Sequence, residues 1–308
     1  MGNAEIVEVL LSTYNGQRYL GEQLESIESQ TLNGVFLRIR DDGSIDGTVS
    51  ALEDYSSERD WVSFHPGKNI GVIGSFMWLL ESVSDATEWA AFCDQDDVWD
   101  RDKLERAVAS LKDYPSEVPA MYFSAVRLVD ESRTVIGRSS PCRGSVGFLN
   151  ALTQNVATGC TIVLNRAAID LLANRNVDVA NIGMHDRWAY LVVSACGEVV
   201  CDPEPSMDYR QHADNVVGSR IGLERWNTRL SRFRVRSRTQ LVDYAKELIR
   251  VYGDDLPPEN KRVCEEFIER AGASSALGRF QYAWRAPVFR QNRLDDGLMR
   301  VMIALGWR

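Results

Sequence analysis

Four carboxylates, Asp94, Asp96, Asp97 and Asp100, follow the apolar run Trp89–Cys93 in the stretch WAAFCDQDDVWDRDKL. Like charges this close each disfavour ionisation of the next, so the stretch needs positive compensation or full solvation. A hard divalent cation carrying a phosphate ligand would supply it. Mg2+ typically takes one or two protein carboxylates together with phosphate oxygens. A second acidic pair, Asp41 and Asp42 in RIRDDGS, also follows a strand-like run. Solvated loop acids are the plain alternative for either cluster taken alone. Neither GxGxxG nor GxxxxGK[ST] occurs, which argues against the usual dinucleotide and P-loop modes of phosphate binding.

Positioning two acidic clusters together requires strands that end on one edge. Residues 6–11 (IVEVLL), 35–40 (VFLRIR), 62–66 (VSFHP) and 89–93 (WAAFC) have strand character. Between them, 19–30 places Leu20, Leu24 and Ile27 on one helical face, and 46–57 and 73–83 are helical as well. Alternation on this scale predicts an α/β fold with a mostly parallel central sheet flanked by helices. Ligands of such sheets sit beyond the C-terminal ends of the strands. STYNG, DDGS and DQDD would then share one crevice.

Composition bounds the alternatives. The chain has 308 residues, with 44% hydrophobic and 26% charged residues, as expected of folded globular protein. No apolar run approaches the roughly 18 residues of a membrane span. The N-terminal stretch carries Glu5 and Glu8 and has the pattern of neither a signal peptide nor a myristoylation site. Six cysteines form no CxxC pair and predict reduced thiols in a cytoplasmic protein. Residues 1–219 hold 17 Lys+Arg and 33 Asp+Glu, whereas 220–308 hold 18 and 11, which accounts for the totals of 35 and 44. The sign therefore changes from −16 to +7 near residue 219. This predicts an acidic domain over 1–219 and a basic, mainly helical C-terminal extension over 220–308. The acidic body argues against a nucleic-acid partner.

Seven segments together resemble glycosyltransferase family 2, with the GT-A fold and its Rossmann-like nucleotide-binding half. They are VLLSTYNGQRYLGEQLESIESQT, RIRDDGSIDGT, NIGVIGSF, FCDQDDVWDRDKL, TGCTIVLNR, MHDRWAYLVVSACGEV and YRQHADN. DQDDVW and YRQH are most similar to bacterial rhamnosyltransferase-like members of cell-surface polysaccharide assembly. The resemblance implies an inverting, metal-dependent transfer of a sugar from a nucleotide-diphosphate donor to an acceptor hydroxyl. It assigns Thr13, Tyr14, Asn15 and Asp42 to the base and ribose, and Asn69 and Gly71 to a loop near the donor. Asp94 and Asp96 become the DxD pair, with Asp96 the main contact of Mg2+ or Mn2+ and Asp94 nearer the ribose or a metal-bound water. Thr158, Gly159 and Cys160 match the floor of the sugar pocket. Asp186 matches the catalytic base, which without the resemblance would read as a helix N-cap. Arg210 and His212 match a segment closing over the diphosphate, and His212 is a candidate metal ligand. The chain departs from the pattern where many members carry a basic residue after the NxG loop, since IGSFMW stands here.

The implied partners are a nucleotide-diphosphate sugar, a saccharide or lipid-linked saccharide acceptor, and a second copy of the chain. Arg229, Arg232, Arg234, Arg236 and Arg238 read either as a solvated face or as a peripheral contact with anionic lipid on the inner face of the membrane. Two rival classes remain at this point: a non-catalytic nucleotide-sugar-binding protein on the same fold, and a haloacid-dehalogenase-like phosphatase. The DxDx[TV] motif of the phosphatases normally ends the first strand of the core.

Overall fold

The computed structural model describes residues 6–173, 175–212, 240–271 and 275–306. The arginines from 229 to 238 and the expected boundary at 219/220 lie outside the described residues. In chain order the elements are β1 (Val7–Thr13), α1 (Leu20–Glu28), β2 (Val35–Asp41), α2 (Thr48–Ser57), β3 (Val62–Pro66) and α3 (Gly71–Glu81). Then come β4 (Trp89–Cys93), β5 (Val98–Trp99), α4 (Lys103–Leu111), β6 (Ala120–Val129), β7 (Val135–Arg138), α5 (Phe148–Ala151), β8 (Val163–Asn165) and α6 (Arg166–Leu172). The remainder is α7 (His185–Cys196), β9 (Glu198–Arg210), α8 (Gln240–Tyr252), α9 (Pro258–Ala271), α10 (Ala276–Arg285) and α11 (Arg293–Ala304).

The chain forms two compact units. The first takes residues up to Cys142, 157–174 and 197–211, and contains all nine strands found among the described residues. Their order is β3-β2-β1-β4-β8-β6-β9-β5, with β7 against β6. The four strands from β3 to β4 are parallel, as the alternation predicted. Beyond β4 the sheet is mixed: β8 runs antiparallel to β4 and β6, and β9 runs parallel to β6. Val7, Val9, Leu10 and Leu11 of β1 are all buried, because helices cover a parallel strand on both faces. Leu20, Leu24 and Ile27 of α1 join the same core.

The second unit comprises residues 143–156, 175–196 and those described from 212 onward. It is helical, built from α5 and α7–α11, with buried Trp188, Leu248, Tyr252 and Phe267 inside.

The cysteines correct one expectation. Cys142 and Cys201 form a disulfide, with Cα atoms 5.9 Å apart, so the six are not all reduced. Cys93, Cys160, Cys196 and Cys264 are free thiols. The pair has no spacing motif: Cys201 lies on β9 and Cys142 follows β7, and both strands pair with β6. Closing a loop of 59 residues removes unfolded-state entropy worth about 2–4 kcal/mol. A Cys142→Ser/Cys201→Ser variant is therefore expected to unfold at lower urea than the oxidised protein. It should coincide with the reduced wild type, and a midpoint equal to that of the oxidised protein would refute the bond's contribution.

No helix among the described residues is long and apolar enough to cross a membrane.

Candidate active site

The parallel register brings three loops to one edge of the first unit. Thr13 at the end of β1 lies beside Asp41 at the end of β2, and Leu11 lies beside Cys93 at the end of β4. Side chains then fasten the loops to one another. The Gln95 amide, between the two acids of the DxD pair, accepts from the Tyr14 backbone N–H at 2.8 Å and donates to the Tyr14 carbonyl at 3.0 Å. A Cβ on Gly16 would stand 2.2 Å from Gln95 Oε1, so glycine is what allows this approach. Asn15 adopts a left-handed conformation, φ 48°, which asparagine tolerates, and its Oδ1 accepts from the Ile45 N–H at 2.9 Å.

The Asp41–Asp42 pair resolves into two anchors. Asp41 is buried and accepts from the Thr13 and Ser44 hydroxyls and from the backbone N–H groups of Gly43 and Ser44. Thr13 is therefore buried as well, its hydroxyl engaged by Asp41. Asp42 pairs with Arg40 at 2.6 Å and accepts from the N–H groups of Ile70 and Gly71 at 2.8 and 2.9 Å. It ties the Asn69–Gly71 loop to the end of β2. Tyr14 stands out as a 47% exposed aromatic at the mouth of these loops.

The acidic cluster after β4 is compensated largely from inside the protein. Asp100 pairs with Arg127. Asp97 is buried, and its Oδ1 accepts from the Arg210 backbone N–H at 3.1 Å. Burial first, then the charges of Asp96 and Asp94, hold its carboxyl well above the usual carboxylate range, and a hydrogen bond with the Cys160 thiol opposes them. Beneath the loop lies Lys103, fully buried with its Nζ 4.4 Å above the Trp99 ring; burial lowers its pKa to about 8. Asp94 and Asp96 are half-buried at the strand end.

Arg210 departs from expectation. It is buried rather than poised over a diphosphate. Its Nε donates to the Asp96 carbonyl, its Nη1 to the Glu131 carbonyl, its Nη2 pairs with Glu22 at 3.1 Å, and the guanidinium lies over Tyr19. This arginine holds the backbone of the DxD loop.

Ligand atoms of Asp94, Asp97 and Cys160 lie within 4.8 Å of one another. Asp97 Oδ2 is buried without a hydrogen-bond partner among the described residues. Burial and the neighbouring carboxylates raise the pKa of the Cys160 thiol, and two of the three clustered donors are hard carboxylate oxygens. That donor set fits Mg2+ or Mn2+ rather than a soft metal. Cys160, which follows Thr158 and Gly159, thus adjoins the acidic loop.

In the second unit, Asp186 occupies the first turn of α7. Its Oδ1 accepts from the Arg187 N–H at 2.6 Å. Burial raises its pKa to about 6, opposed by hydrogen bonds from Arg187 N–H and the Asn155 side chain and by the Arg187 charge. A carboxylate near pH 6 is well matched to accept a proton at neutral pH. Neighbouring His185 is buried, which lowers its pKa to about 3 and keeps it neutral. His212 belongs to this second unit.

The structure thus brings Tyr14, Asn15, Asp42, Asn69, Gly71, Asp94, Asp96 and Thr158–Cys160 into the first unit, with Thr13 and Arg210 behind them. Gln95 and Lys103 are additions that the sequence did not single out. Lys103 was detectable in principle, since it falls on the apolar face of α4 with Leu104, Ala107, Val108 and Leu111. Gln95 carried no such signal. The acidic motif follows β4 and not β1, which removes the phosphatase alternative.

Comparison with known proteins agrees with this geometry. The chain is 28% identical over 229 residues to dTDP-rhamnosyl transferase RfbG of Shigella flexneri, covering 70% of this chain and 75% of that one. Among solved structures, S. aureus TarS 1-349 in complex with UDP-GlcNAc superposes with a TM-score of 0.57 at 15% identity, covering 92% of this chain and 82% of that one. The mannosyltransferase PcManGT from Pyrobaculum calidifontis, in complex with GDP-Man and Mn2+, gives 0.55 at 17%, covering 98% and 81%. Both likenesses are of fold, here GT-A. Residues 8–169 match the family model for glycosyl transferase family 2, more than half of the sequence, and the chain therefore belongs to that family of glycosyltransferases.

Proposed function

We propose that the protein transfers a deoxyhexose, rhamnose by preference, from a nucleotide-diphosphate donor to an acceptor hydroxyl, with inversion and with divalent-metal dependence, in the assembly of a cell-surface polysaccharide. The observation carrying this is the clasp of Gln95 on Tyr14, which joins the loop expected to hold the base to the loop expected to hold the diphosphate. The sugar follows the similarity to RfbG, and the metal is consistent with the Mn2+ in the PcManGT structure.

The residues divide the work as follows. Tyr14 offers its exposed ring to the base, and the Asp42-anchored loop bounds the nucleoside. Asp94 and Asp96 would hold Mg2+ or Mn2+, with Asp97 beside them. When bound, that cation neutralises the charge that develops on the diphosphate leaving group. Arg210 keeps the acidic loop in place from behind, and the buried Lys103 adds positive charge beneath it. Asp186 takes the proton of the acceptor hydroxyl as it attacks the face of the anomeric carbon opposite the leaving group. The acceptor is a saccharide or lipid-linked saccharide. His212 remains a candidate contact for metal or diphosphate.

A thermal-shift screen of nucleoside diphosphates tests the proposal, since a ligand that binds only the native state raises stability by RT ln(1 + [L]/Kd). dTDP with Mn2+ is expected to raise Tm more than UDP or GDP, and EDTA should remove the effect. Equal shifts with EDTA present would refute metal dependence, and a preference for GDP would refute the sugar assignment.

Gln95→Ala provides a separate check on the clasp. Loss of two hydrogen bonds, each worth about 1 kcal/mol net, should weaken nucleoside-diphosphate binding by up to about 30-fold. Calorimetric titration reads this directly, and unchanged affinity would show that the clasp does not position the base loop.

A further inference from the structure

Seven of the fourteen large hydrophobic side chains exposed among the described residues lie between Leu277 and Leu305. They form two stripes at helical spacing. On α10 the stripe is Leu277, Phe280 and Trp284, with the Phe280 and Trp284 rings stacked at 4.9 Å. On α11 and its C-terminal cap it is Leu294, Leu298, Val301 and Leu305, with Leu294 80% exposed. Neither stripe is needed for the core of the unit, because other side chains face inward: Tyr282 and Ala283 on α10, and Met299, Met302 and Ile303 on α11. Scattered exposed apolar residues are ordinary, but two ordered stripes on consecutive helices are not.

The charge around the stripes narrows the occupant. Residues 275–306 contain Arg279, Arg285, Arg290, Arg293 and Arg300 against Asp295 and Asp296, a net of +3 in a chain of net −9. Asp296 is engaged by Arg300 at 2.8 Å and by the Arg290 N–H. Arg285 and Arg293 are exposed, at the end of one helix and the start of the next. A second copy would bring the same positive charge against itself, whereas an anionic surface would complement it. Helices with leucine and aromatic residues on one face and arginine on the other lie in the headgroup region of bilayers, where tryptophan is also enriched.

We propose that α10 and α11 form a docking surface for an anionic lipid bilayer, with the two stripes entering the headgroup–acyl boundary and Arg285 and Arg293 meeting the headgroups. This goes beyond the transferase proposal and does not depend on the arginines of 229–238. It places a lipid contact on residues that those arginines do not include.

Co-sedimentation of the full chain with phosphatidylcholine vesicles, with and without phosphatidylglycerol, is the test. Wild type should partition onto phosphatidylglycerol-containing vesicles and release as salt rises. A Trp284→Glu/Leu298→Glu variant removes two large apolar contacts from the bilayer and adds two negative charges, so its partitioning should fall by at least about 100-fold. Both positions are exposed, so an unchanged Tm and unchanged dTDP-induced thermal shift should show that the variant folds and still binds nucleotide. An Arg285→Gln/Arg293→Gln variant should bind more weakly and with a shallower salt dependence. Wild-type partitioning by the Trp284→Glu/Leu298→Glu variant would overturn the proposal. So would a wild type that ignores these vesicles at low salt, and sedimentation showing a dimer that the variant dissociates would then assign the face to self-association.

Discussion

Asp96→Ala is expected to lower sugar transfer by about 10²–10³-fold, the scale of losing a charge-stabilising group aimed at a leaving group. The same substitution should abolish the Mn2+-linked part of the thermal shift produced by a nucleoside diphosphate. Folding should survive, for a reason visible in the loop. Arg210 holds the Asp96 backbone carbonyl, and alanine keeps that carbonyl. Asp97→Ala should behave differently. It would leave the buried Arg210 N–H without its acceptor, at a cost of about 1–3 kcal/mol, so stability and transfer should fall together. Turnover or metal-linked stabilisation unchanged in Asp96→Ala would refute the assignment of the DxD pair.

Asp186→Asn should reduce kcat by roughly 10²–10⁴-fold, as expected when a general base is lost, while affinity for the nucleoside diphosphate stays near wild type. The asparagine Oδ1 can still accept from the Arg187 N–H, so the first turn of α7 should be preserved. The wild-type pH profile provides the second measurement. With a folded-state pKa of about 6, Asp186 is the active carboxylate above that value, and kcat/KM should fall about tenfold per pH unit below it. That limb should disappear in Asp186→Asn. Stability runs the opposite way for this group. The native chain holds the proton more tightly than an ordinary aspartate near 3.8, so the contribution is lost as pH rises towards 6. A variant that loses donor affinity and keeps kcat would make Asp186 a donor ligand or a helix cap.

The parallel half of the sheet could be read from the sequence because each strand is apolar and ends in a turn signal, as VFLRIR does at DDGS. The acidic loop was readable because four carboxylates in one short stretch demand an explanation. The roles of individual polar groups were not readable. An arginine in YRQH serves a phosphate or a carbonyl equally well by type, and only the pairing of β9 shows that Arg210 points at Asp96. The Cys142–Cys201 bond was hidden for the same reason, since its partners meet through tertiary pairing and not through spacing. Asp42 illustrates the converse: its importance was clear, but its engagement by Arg40 and two backbone N–H groups was not.

The hydrogen bond from the Arg210 N–H to Asp97 spans 113 residues, and it constrains the order of assembly. β1 to β4 pair mostly with near neighbours, and their loops can close as soon as that part of the chain has been synthesised. The acidic loop is already present then, but it lacks the strand that secures it. Contacts of such long sequence separation form slowly, because the entropy of closing the intervening chain comes before any gain. On the ribosome, the loops after β1 and β2, proposed above for the nucleoside, can thus become native well before the acidic loop proposed for the metal, which waits for β9.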